Sequence, residues 1–308
     1  FPSYLCNNSY LVARPEGEQL MTSPVPPPED NALDIVSSAT LSRDGSMFFE
    51  ADIAFKGIND TAYRHALVRR KPEDREKLFE KIVKSLAPGA ELVSCDIRPK
   101  DMRDTETPVE AELFVRYPET LLAGRTRSAI DVPFLGKTLG MVNFLLSGNT
   151  SLETRKYPLV IDTTACVRES VDLDLSAAAL GKPLDLPVVD KGELAGYDFS
   201  RHFTITNGTL RAERALTIGA VEFSPAEYRQ LREELKDQEA AERTRPVFAV
   251  DLLKEADVRI ALDSSETTIA SDCEWVTTNS VVKEVLTYEG KKRSAELKVP
   301  FNPSVERL

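Results

Sequence analysis

Covalent or metal chemistry in this 308-residue chain would have to draw on four cysteines and two histidines. A Cys-His-Asp site needs a thiolate beside an imidazole, with an acceptor that orients the ring. His65 lies in Tyr63-Arg64-His65-Ala66-Leu67 and His202 in Arg201-His202-Phe203-Thr204, each beside an arginine that opposes an imidazolium. None of Cys6, Cys95, Cys166 and Cys273 stands in a Gly-rich or aromatic turn at a helix start, where backbone dipoles would lower the thiol pKa. Cys95 and Cys166 sit in strand-like runs and are expected to be buried structural thiols. No catalytic, cofactor-binding or metal-ligating residue is assigned.

Other residue types offer no stronger pattern. Two isolated histidines and scattered cysteines lack zinc-ligand spacing. Asp251, Asp257 and Asp263 lack the central glycine and terminal glutamate of a calcium loop. Nothing singles out a glycosidase pair among 50 acids, and neither a Walker-type loop nor a GxGxxG fingerprint occurs, so no cofactor is expected. The basic clusters Lys291-Lys292-Arg293 and Arg69-Arg70-Lys71 are short and read as solvated surface. Trp275, the single tryptophan, is expected in core or edge packing rather than as a sugar-stacking platform.

The elements that would position these residues follow from composition and period. With 42% hydrophobic and 29% charged residues the chain can bury a core. A net charge of −11 argues against nucleic acid as the main partner, and no apolar run reaches the ~20 residues of a membrane span. Both ends read as cuts within a longer protein, and cysteine usage is silent on compartment.

Alternation and turn signals predict a mainly β fold of large sandwich-like antiparallel sheets with two helices, about 72–87 and 224–242. Leu33–Leu41 and Met47–Phe55 should form a hairpin about Asp44-Gly45, and Asp198–Thr206 and Thr209–Ile218 another about Asn207-Gly208. Val167–Leu175 alternates with an imperfect phase, because Glu169 occupies an apolar position. Ser224-Pro225-Ala226-Glu227 is a capping box. Thr61–Val68 fits either helix or strand, and Arg125–Thr150 reads as an irregular connection with strand pieces. Val281–Tyr288 and Ser294–Phe301 should pair about Glu289–Lys292. The expected division is a lead-in with a Pro-rich linker at 1–28, a first β part with one helix at 29–150, a second β part with a surface helix at 151–248, and a C-terminal β-segment at 249–308.

The order of features resembles bacterial transglutaminase-like proteins, in which a papain-type Cys-His-Asp core is flanked by large all-β domains of unknown function. The residues that carry the likeness are Leu20-Met21-Thr22-Ser23-Pro24-Val25-Pro26-Pro27, Ala39–Ser46 with the strand ending at Gly57, Ala87-Pro88-Gly89-Ala90, and Arg155-Lys156-Tyr157-Pro158-Leu159. The resemblance implies a catalytic core before Phe1, no catalytic residue within these 308, and a periplasmic, secreted or cell-envelope parent. It also implies that the partners are the catalytic and flanking domains of the same chain. The expected role is a non-catalytic accessory or scaffold β-domain that binds peptide or protein, for instance by strand addition at a sheet edge. A carbohydrate-binding sandwich and an unrecognised hydrolase site are the alternatives.

Overall fold

A computed structural model describes residues 5–17, 19–87, 89–178, 180–250, 257–269 and 275–294. The chain divides into two units, Phe1–Val250 and Asp251–Leu308.

The first unit is organised by an eight-stranded sheet. Its strands are β1 (Ala32–Leu41), β2 (Met47–Phe55), β3 (Glu91–Arg98), β4 (Glu110–Tyr117), β5 (Ala165–Asp174), β6 (Val188–Lys191), β7 (Tyr197–Thr206) and β8 (Thr209–Ile218). They lie in the order β6-β7-β8-β5-β1-β2-β4-β3. Every pairing is antiparallel except β5 with β1, which is parallel. The parts expected at 29–150 and 151–248 thus meet in one sheet.

Period-2 alternation sends Met47, Phe49, Ala51, Ile53 and Phe55 of β2 into the core and leaves Phe48, Glu50 and Asp52 on the opposite, solvent-facing side. Both predicted hairpins form. Leu41 stands opposite Met47, and Thr206 opposite Thr209. Asn207 and Gly208 both take positive φ, 50° and 82°, the requirement of a two-residue type I′ turn.

The inner face is covered by helices α1 (Ile58–Val68), α2 (Glu76–Leu86), α3 (Met141–Asn149) and α4 (Pro225–Ala241). A four-stranded sheet of Leu180–Asp185, Val247–Val250, Arg127–Ile130 and Leu121–Leu122 shares the covering layer. One continuous core joins Leu67 of α1, Phe79 of α2, Leu145 of α3, Tyr228 of α4 and Phe248 of the small sheet.

The two predicted helices are present with adjusted ends. Pro72–Asp74 forms a separate 3-10 turn before α2, and α4 occupies 225–241. Two stretches differ from expectation. Thr61–Val68 belongs to helix α1, and the segment expected to cross the core irregularly contains α3. Both helices lack a side-chain cap from their own N-cap residue. Remote asparagines cap them instead: Ile58 N donates to Asn31 Oδ1 at 2.9 Å, and Met141 N donates to Asn59 Oδ1 at 2.8 Å. No local motif announces such a helix start.

In the second unit, Val258–Ile269 pairs antiparallel with Trp275–Val285. The expected turn at Glu289–Lys292 is a helix, Tyr288–Arg293, because Thr287 Oγ1 accepts from Gly290 N at 3.1 Å and starts a helical turn. Val281 pairs with Asp263 instead. The strand expected at 294–301 lies almost wholly outside the described residues.

At the start of α4 both arms of the capping box are closed. Glu227 N donates to Ser224 Oγ at 3.3 Å, and Ser224 N donates to Glu227 Oε2 at 2.7 Å. Ser224→Ala should therefore lower unfolding free energy by about 1 kcal/mol, read as a shifted urea midpoint at unchanged slope.

Candidate functional site

The structure disperses the residues first considered for chemistry. Cys6 is buried with its thiol 3.8 Å from Thr163 Oγ1, and Cys166 on β5 donates to Pro28 O at 3.4 Å. Burial, the largest cause, pushes the Cys166 thiol up to about 11 and the Cys95 thiol up to about 12. Such groups stay protonated near neutrality. Cys273 lies outside the described residues. His65 is exposed on α1, and His202 meets Asp190 at 2.7 Å on the outer face of the sheet. Among the described residues none of these thiols bonds a histidine, and no group of three or more His, Cys, Asp or Glu side chains is arranged to hold a metal ion. Trp275 is 70% exposed, opposite Ile269, rather than packed in a core.

The imperfect phase of β5 has a structural meaning. Glu169 points into the core among Val167, Val171 and Leu173 and is 3% exposed. Its Oε1 accepts from Leu135 N at 2.8 Å and its Oε2 from Gly136 N at 2.7 Å. Gly136 is required here, since a Cβ would fall 2.9 Å from both Glu169 Oε2 and Val167 Cγ2. Arg214 of β8 donates to Gly136 O at 3.2 Å and, through Nη2, to Glu242 Oε1 at 2.7 Å. Lys137 stands 3.5 Å from Glu242 Oε2, and Gln238 also donates to Glu242. Arg201 of β7, 1% exposed, donates to Ala241 O and Thr244 O at 2.9 and 2.8 Å, and its guanidinium lies 4.7 Å from the Phe203 ring centroid.

Three strands are thereby tied to the segment 134–140 and to the end of α4. Burial pushes the Glu169 carboxyl up to about 7, against the pull of the Gly136 amide, Arg214, the Leu135 amide and Lys137. Burial acts on Glu242 in the same sense, yet Arg214 and Lys137 hold it below its ordinary value.

On the far side of segment 134–140 lies an open, mostly apolar groove of about 410 Å³, bounded by α1, α3 and the start of α2. Ala62, Tyr63 and Ala66 form one wall, Leu78 borders it, and Gly140, Met141 and Phe144 form the other. Its walls are wired in place. Asn31 Nδ2 donates to Thr164 O at 2.9 Å, Asn59 Nδ2 donates to Asn31 O at 2.7 Å, and Asn59 Oδ1 caps α3. Tyr63 OH accepts from Gly140 N at 3.2 Å, and Asn143 Nδ2 donates to Gly136 O at 2.8 Å.

The groove contains hydroxyl and amide groups but no cysteine, histidine or carboxylate. Its chemistry is that of binding apolar groups, with a few fixed polar atoms to orient them. A smaller hollow of about 150 Å³ beside α4, lined by Thr150, Arg232, Leu235, Lys236 and Glu239, is mainly polar. Sequence reading missed the groove because its walls are α1 and α3, the two helices without a local start signal.

Comparison with known proteins adds little. No family model matches the chain, and no curated protein does. Among solved structures, one from Parabacteroides distasonis described as a "putative protease" aligns at 15% identity with a TM-score of 0.31. The alignment covers 42% of this chain and 24% of that one, and a likeness of this degree carries no inference.

Two outcomes follow from the wiring. Asn59→Ala strands Met141 N and Asn31 O without partners, so it should cost about 2 kcal/mol in urea unfolding and raise hydrogen exchange across α3. Glu169 ordinarily titrates at 4.5, so the unfolded chain ionises first as pH rises. Stability from this group is therefore fully present below pH 4.5 and is lost on the way to pH 7. The fall should be larger in the wild type than in Glu169→Gln by on the order of 2–3 kcal/mol, measured by denaturation from pH 4.5 to 8, since Glu234, whose carboxyl burial also raises, contributes equally to both. Glu242 acts in the opposite sense and at lower pH, outside that window.

Proposed function

We propose that this chain is a non-catalytic accessory domain that binds a peptide or protein segment, in a scaffold role beside an enzyme core of the transglutaminase-like kind in a bacterial envelope protein. The observation that carries this reading is the open apolar groove between α1 and α3. A preformed apolar cleft whose walls are fixed by asparagine bonds suits recognition, because little ordering is needed when a ligand enters. The dispersed thiols and histidines favour a binding role over a hydrolase.

Among the described residues the large sheet has two edges open to strand addition, the four-residue β6 and the eight-residue β3, of which β3 offers the longer unpaired side. That edge carries Glu91, Asp96 and Arg98 and a register irregularity between Leu92 and Ser94, features that protect an edge from pairing. The groove is the better supported site.

The decisive experiment is an amide-resolved NMR titration with three peptide types: an acidic amphipathic helix, a basic one, and an extended apolar chain. Shifts confined to residues 58–68 and 138–147 are expected with at least one of them. No shift with any peptide would sink the binding reading. In parallel, iodoacetamide at pH 7.5 followed by peptide mapping should leave Cys95 and Cys166 unlabelled in the folded protein. Rapid alkylation of either would revive a nucleophilic role.

A further inference from the structure

Helix α3 is apolar on two faces. Val142, Leu145 and Leu146 turn inward and are buried, while Phe144 on the other side is 68% exposed beside Met141 at the groove. From Thr138 to Leu152 no residue is charged. Met141 and Phe144 thus leave an apolar strip at the groove, flanked by the small polar side chains Asn143 and Ser147, and such a strip is the kind of surface that a partner covers.

The rim states what covers it. Ala62 and Ala66 lie on one stripe of α1, which ends at Val68; Arg69 is its C-cap residue and Arg70 follows just past the helix. The Arg70 guanidinium donates back to Ala66 O, which sets it beside a residue of the groove wall. Leu78 of α2 is followed one turn later by exposed Lys81, and Lys71 is exposed in the connection. Of the neighbouring acids, Asp60, Asp74 and Glu80 are held by Arg64, Lys77 and Lys84. Glu76 stands two positions from Leu78, on another side of α2. Glu73 is left against Arg69, Arg70, Lys71 and Lys81.

The walls are helices, whose backbone groups are bonded internally, so the groove presents no sheet edge to an extended chain. A helical occupant keeps its own backbone satisfied while one face is buried, which matches walls that offer no strand to pair with. We infer that the groove receives an amphipathic helix whose apolar anchors pack on Phe144, Met141 and Leu78 and whose carboxylates meet Arg69, Arg70, Lys71 and Lys81. This rests on the binding role proposed above and specifies its partner. An anionic membrane is the less favoured surface, since the site is concave and the chain as a whole carries −11.

The test uses the whole chain and two fluorescent 18-residue helical peptides. They share leucine and phenylalanine at i, i+3, i+4 and i+7 and differ only in carrying Glu or Lys elsewhere. The Glu peptide should bind at least about tenfold more tightly at low salt, with the preference shrinking as salt rises. Phe144→Ser, at an exposed position that should not disturb folding, should weaken the Glu peptide by about tenfold or more. The triple variant Arg69→Glu, Arg70→Glu, Lys81→Glu should reverse the charge preference while its thermal melt stays near wild type.

Equal binding of both peptides, or preference for Lys, would overturn the acidic-helix assignment while leaving a groove-binding domain intact. Binding of the extended peptide alone would do the same. Failure of all three would remove the binding role itself. Sedimentation with anionic vesicles that is lost in Phe144→Ser, without peptide binding, would reassign the surface to a membrane.

Discussion

A carboxylate in the middle of an apolar sheet face is the constraint around which the first unit is arranged. Glu169 can be buried only where donors meet both oxygens, and the chain supplies them from the backbone of Leu135 and Gly136. Those two amides must therefore lie directly against the sheet, which is why residue 136 has no side chain. Arg214 then accounts for the carbonyl of the same glycine and carries the connection on to Glu242. Removing one member would leave a buried charge without its partner, so the network acts as a unit and fixes one arrangement of segment 134–140 over β5 and β8.

That arrangement determines where α3 begins. Once Leu135 and Gly136 are pinned, the chain has three residues before Gly140, whose amide meets Tyr63 OH, and Met141, whose amide meets Asn59. The groove wall is thus set from two sides, by the ionic network below and by the Asn31–Asn59 pair at the start of α1. A surface positioned this way can remain apolar and open without collapsing onto its neighbour. The site is a consequence of buried polar bonds rather than of any motif that binds ligands.

The same fact explains what could be read from the sequence. β1, β2, β7 and β8 were legible because alternation and their turns are local signals. The Ser224 capping box was legible because both partners lie within four residues. Helices α1 and α3 were not, since their caps, Asn31 and Asn59, act across 27 and 82 residues. The second-unit helix was hidden by Gly290, which argues for a turn until Thr287 is seen to cap it. Glu169 and Arg214 did leave a trace. Each sits at an apolar phase of an alternating strand, and two charges of opposite sign at core positions are a signal of a buried pair. The trace shows that a pair is needed but not which backbone segment completes it.

The two large surfaces of the first unit differ in kind, and the difference bears on function. The outer face of the sheet is a field of cross-strand charges, with Asp34 between Lys56 and Arg168 and with Arg211 against Asp172. Exposed ion pairs contribute little to stability and offer a partner no net gain on desolvation, so such a face is well served by water. Phe48 and Phe114 stack there at 6.5 Å, on strands whose other outward positions include Glu50, Asp52, Glu110 and Glu112. The helical side instead places uncharged, apolar atoms at the surface and gathers its cations at one end. Burial of apolar surface gains free energy in proportion to its area, which distinguishes this side from the charged sheet face. Among the described residues of the first unit, the sheet thus gives one face to water and the helices give the other an apolar groove, with the sheet as the rigid backing of both.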